Sequence, residues 1–119
     1  MKKIEIARLA SAVAQVSNNG LEPKKGLKLF RFYKALKAVQ TELIEFEQKL
    51  RADYNIKKDN DEQTLKAYNE AFSEMLNEEI TLDVDAFLTE EEAIEIFGKV
   101  LTMEGLDMVL PMVVDNKLS

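Results

Sequence analysis

Residues 29–54 read LFRFYKALKAVQTELIEFEQKLRADY, and the spacing of their apolar side chains sets the architecture. Leu29, Phe32, Leu36, Val39, Leu43, Phe46 and Leu50 recur at alternating steps of three and four, which keeps one helical face against a partner. Upstream, Pro23 suits the first turn of the same helix, where its missing N–H has no intrahelical partner. The pattern predicts a helix over 24–54. Downstream, residues 55–64 have no apolar period and are expected to form an exposed connection. Their Asp and Asn content imitates a calcium loop, but the bend glycine and the closing glutamate are missing. Leu65, Tyr68, Phe72, Met75 and Leu76 then mark a helix over 62–78. A connection of this length lets it return antiparallel, with Leu65, Tyr68 and Phe72 facing Leu43, Phe46 and Leu50.

The flanks carry other periods. Lys2 to Ile6 alternates, with Ile4 and Ile6 on one side, so a strand is expected over 2–6, passing into a helix over 7–18 on Ile6, Leu9, Ala10, Val13 and Val16. Ser17 to Gly20 is a helix stop. Ile80, Leu82 and Val84 alternate with Thr81, Asp83 and Asp85, giving a second strand over 79–85 expected to pair with the first. Thr89-Glu90-Glu91-Glu92 has the form of a capping box opening a helix over 90–104, with Gly105 as its stop. Leu106 to Val114 reads as a short helix over the core, since Pro111 is unsuited to a central strand. The expected fold class is α+β, mostly helical. It comprises a long central helix in an antiparallel helical hairpin, flanking helices and a small two-stranded sheet, in one compact domain over 1–114 with a frayed tail at 115–119.

Composition closes off much chemistry. The 119 residues include no Cys, His or Trp, which removes disulfides, thiolate nucleophiles, the commonest transition-metal ligand and the commonest general base near neutral pH. No catalytic residue, cofactor or metal site is expected. No apolar run reaches bilayer length, and Glu5 stands where a signal peptide would be hydrophobic, so the protein is expected to remain where it is made. Residues 1–58 hold 13 basic against 6 acidic side chains, a net of +7, while residues 59–119 hold 3 against 16, a net of −13. Oppositely charged halves are expected to fold against each other and partly neutralise, which guides docking more than it holds the fold.

Several passages carry a resemblance. KIEIARL at 3–9, EFEQKL at 45–50 and YNEAFSEMLNEEITLDV at 68–84, in this order of elements, resemble a family of small phage-encoded and prophage-encoded proteins of unknown function. The resemblance implies a phage or prophage origin, an accessory or assembly role beside a phage structural protein, and a place in the host cytoplasm or in the virion. It supplies no catalytic residues.

Binding is therefore the expected class of function. Lys28, Phe30, Arg31, Tyr33, Lys34 and Lys37 interleave cations with aromatics, and together with Ile44 they form the candidate interaction surface, for a protein partner or a second copy. The same stripe could track phosphates, but an acidic chain argues against nucleic acid. The alternative is a regulatory binder whose Asp83, Asp85, Glu90, Glu91, Glu92 and Glu95 block a basic or nucleic-acid-binding surface. A remote alternative is a magnesium-dependent all-α nucleotide pyrophosphohydrolase, whose spacing Glu42-x-x-Glu45 and Glu104-x-x-Asp107 imitate, although a linker and an expected strand intervene between the two motifs.

Overall fold

The computed structural model describes residues 1–17, 20–55, 61–82 and 84–115. Among the described residues five helices make up the fold: α1 Lys3–Val13, α2 Pro23–Asp53, α3 Glu62–Leu76, α4 Glu90–Phe97 and α5 Met103–Val113. Among the described residues there is no strand or sheet, which corrects the expected α+β class to a helical one. The expected first strand is the opening of α1. Stepping back by three from Ile6, the apolar face of α1 includes Lys3, which is only 6% exposed, so a charged residue on the core stripe hides the helical period from the sequence. Glu5 accepts from the Lys2 N–H at 2.8 Å and anchors the first turn.

Without that strand, the described residues of 79–85 have no ladder to join. Pairing is reduced to one antiparallel bridge, Lys2 with Glu79, flanked by Lys3 N–H to Glu78 O at 3.0 Å and Ile80 N–H to Met1 O at 2.8 Å. Ile80, Leu82 and Val84 still pack against the core, so their alternation reports burial against helices. The helix expected over 90–104 is also corrected. It ends at Phe97, and Thr102 opens α5 by accepting the Gly105 N–H at 3.1 Å, so Gly105 lies inside the next helix and stops nothing. Pro111 is accommodated within α5. Asp115 N–H donates to Leu88 O at 2.8 Å; the rest of the expected tail lies outside the described residues.

The core sits at one end of α2. Ile6, Leu9, Ala10 and Val13 of α1 meet Leu29, Phe32, Leu36 and Val39 of α2, and Phe87, Leu88, Ala93, Phe97, Val109 and Val113 close over them. Phe32 and Phe97 stack edge to face with centroids 6.2 Å apart. Gln40 Nε2 ties α2 to α1 by donating to Ala7 O at 3.0 Å and Ser11 Oγ at 2.8 Å.

Beyond Val39, α2 continues as one member of a two-helix arm. Leu43 and Leu50 are buried there, Phe46 is half-buried, and Tyr68 is the one buried residue of α3. Tyr68 stands beside Tyr54 and Arg51, and Lys3 links Glu42 to Met75 and Glu78 at the far end of α3, so the two helices run antiparallel. The 31 residues of α2 span about 46 Å at 1.5 Å per residue. They dominate the 56 × 23 × 20 Å dimensions and the 17.5 Å radius of gyration, against roughly 13–14 Å for a globular chain of this length.

Candidate interaction surface

The residues of the sequence-derived surface all lie on α2, but the helix distributes them over more than one face. At about 100° per residue, Lys28 and Tyr33 point to opposite flanks. Lys28 and Arg31 border a cleft with Phe32, Ala35, Val84 and Asp85. Tyr33 lies on the other flank and is half-buried, bordering a cleft of about 290 Å³ with Val13, Val16, Gly26, Leu29 and Phe30. Between the flanks runs the outer strip of α2. Leu27 is 49% exposed, Phe30 56% and Ile44 52%, whereas the other exposed large apolar side chains among the described residues, Leu65, Ile94 and Met103, are spread over three helices. Lys34 Nζ lies 5.8 Å from the Phe30 ring centroid and Lys37 Nζ 5.8 Å from that of Tyr33, so both cations lean on aromatic faces. Leu27 was missed by reading the basic stripe alone; its place one turn before Phe30 was the available signal.

The acidic set is partly used by the fold itself. Glu92 accepts from Lys25 Nζ at 2.7 Å and from the Thr89 N–H at 3.0 Å, while its own N–H donates to Thr89 Oγ1 at 3.1 Å. The Lys25 contact, then the cap, holds its carboxyl below the usual glutamate range. Lys25 is thus the point where the basic start of α2 meets an internal acid. Asp85 is exposed beside Lys28 and Arg31, Glu90, Glu91 and Glu95 are exposed on α4, and Asp83 lies outside the described residues.

A second ionic cluster was not legible as such. Lys3 Nζ, at the junction of α1, α2 and α3, lies 2.8 Å from Glu42 and 3.3 Å from Glu78. The Glu42 hydrogen bond outweighs burial and, with Glu78, raises the Lys3 pKa. Glu42, the first acid of the phosphohydrolase-like spacing, therefore binds an internal ammonium. Among the described residues no group of three or more His, Cys, Asp or Glu side chains is placed to hold a metal ion. Nor, among them, is any helix long and apolar enough to cross a membrane.

The chain matches no protein-family model, no curated protein and no solved structure.

Proposed function

We propose that the protein is a non-enzymatic binding protein that works through the outer strip of α2, in the accessory or assembly role that its resemblance to small phage proteins implies. The supporting observation is the coincidence of Leu27, Phe30 and Ile44, each about half exposed, on one face of the longest helix, among cations that lean on aromatic rings. Exposed apolar side chains aligned over about 26 Å of helix differ from the scattered ones every surface carries. The regulatory alternative loses Glu92 to Lys25 and Thr89, and the enzyme alternative loses Glu42 to Lys3.

A photo-reactive phenylalanine analogue placed at Phe30, and separately at exposed Glu70 on α3, tests the reading in the cells that make the protein. A discrete protein adduct from position 30 and none from position 70 is expected. Equal labelling from both positions, or none from either, would refute a dedicated surface on α2.

A further inference from the structure

The occupant of the α2 strip can be argued from its own pattern. Leu27, Phe30, Lys34, Lys37, Thr41 and Ile44 recur at alternating steps of three and four, the spacing of a second helix-pairing seam on the side of α2 away from the core. The seam is apolar at its two ends and polar in the middle. A parallel partner of the same sequence would set the basic segment Lys24 to Lys37 against its own copy. An antiparallel one instead brings Leu27 against Ile44 of the second copy and Phe30 against Thr41, twice by symmetry. In that register Arg31 and Glu45 of the second copy share one edge of the seam about 7.5 Å apart along the axis, a gap their long side chains can close, again twice. Glu45 is exposed. In this register Lys34 falls opposite Lys37 of the second copy, and each cation leans on an aromatic ring, Lys34 on Phe30 and Lys37 on Tyr33.

We infer that the outer face of α2 is the contact between two copies of this chain, paired antiparallel about a two-fold axis, with Leu27–Ile44 contacts at each end and Arg31–Glu45 pairs along one edge. This rests on the binding role proposed for the strip and names its partner. One helix–helix seam is small beside the roughly 1,200–2,000 Å² buried in stable complexes, so a dissociation constant in the micromolar range is expected.

Sedimentation equilibrium of the full chain across micromolar concentrations is the test. The parent should show a monomer–dimer equilibrium, and Ile44→Glu, at a half-exposed site that leaves helical circular dichroism unchanged, should weaken it at least about tenfold. Arg31→Glu and Glu45→Arg should each weaken self-association, while an equimolar mixture of the two should form heterodimers, because each Glu then meets an Arg. A dimer indifferent to Ile44→Glu, or a mixture no tighter than its components, would overturn the inference. A strictly monomeric parent would overturn it too. If position 30 still cross-links to a different protein, the binding role stands and only the second copy is lost; if it cross-links to nothing, both fail.

Discussion

At Lys3, one side chain decides how the start of the chain folds. Its stem occupies the core face of α1 while its ammonium reaches Glu42 and Glu78, whose side chains are each 55% exposed. Because those carboxylates can rehydrate, removing the cation does not strand a buried charge. Lys3→Met, which keeps the stem, should change unfolding free energy by less than about 1 kcal/mol, whereas Lys3→Ala should cost about 2 kcal/mol through lost methylene burial. Urea-denaturation midpoints would separate the two. The pH response has two arms. A raised lysine pKa contributes stability that is complete below the ordinary 10.5 and is lost as pH rises through the higher folded value. Glu47, lowered chiefly by its bond to Arg51 and then by Tyr68, and Glu92, lowered by Lys25, contribute above the ordinary 4.5 and lose it as pH falls through their lower folded values. Melting temperature should therefore be flat between the carboxylate and lysine ranges and fall on both sides. Lys3→Met should abolish part of the alkaline fall and leave the acid one.

At the scale of elements, the sequence was legible wherever a segment's period could be read without knowing its neighbours. The stripe from Leu29 to Leu50 and the face from Leu65 to Leu76 are helices because each repeats its spacing over several turns. The two-stranded sheet failed for a tertiary reason: alternation at Ile80, Leu82 and Val84 reports burial, but a strand exists only with a partner, and Lys3 had concealed that the partner was helical. Phe87 and Leu88, nearly fully buried, escaped notice because they belong to no periodic run; their N–H groups both donate to Val113 O at 2.9 Å, from a part of the chain far away in sequence. The candidate site shows the same division, since Phe30 and Ile44 of the α2 strip were readable, whereas Leu27, the separation of the basic stripe onto flanks and the use of Glu92 by Lys25 required the fold. The glycines near the α4–α5 turn illustrate the limit most sharply, because Gly105, expected as a stop, lies inside a helix, and Gly98, within the expected helix, is where α4 ends. A Cβ at Gly98 would lie 2.5 Å from Ile94 O, whereas at Gly105 the nearest neighbour, Leu101 Cβ, is 3.4 Å away. Gly105→Ala should therefore raise stability by about 0.5–1 kcal/mol through helix propensity. Gly98→Ala should lower it by about 1–3 kcal/mol through forced backbone movement. Opposite shifts in thermal midpoint are expected, and equal ones would contradict the turn geometry.

Across the whole molecule, the unequal thickness of the fold sets where it opens first. Around Phe32 and Phe97, side chains from α1, α2, α4 and α5 enclose one another, whereas the arm beyond Val39 has two helices and a thin contact built on Leu43, Leu50 and Tyr68. The arm compensates with polar and aromatic contacts: Tyr68 donates its hydroxyl proton to Glu47 at 2.9 Å, Arg51 pairs with the same carboxylate, and Tyr54, Tyr68 and Phe72 meet edge to face at 6.5 and 6.2 Å. Such contacts individually contribute about 1 kcal/mol, less than a filled core position. Local opening free energy follows buried apolar contact, so α3 should detach while the core remains closed. Amide hydrogen exchange should show α3 exchanging well before α1, the first half of α2 and α5. Two substitutions sharpen the expectation. Phe97→Ala, at a fully buried site, should cost about 3–5 kcal/mol and accelerate exchange throughout the core. Tyr68→Phe keeps the ring and removes the bond to Glu47, so it should cost about 0.5–1.5 kcal/mol and accelerate exchange in α3 and the end of α2 alone. Self-pairing along α2 adds one further dependence. The seam ends near Ile44, so dimerisation should slow exchange in the first half of α2 as concentration rises and leave α3 at its monomer rate.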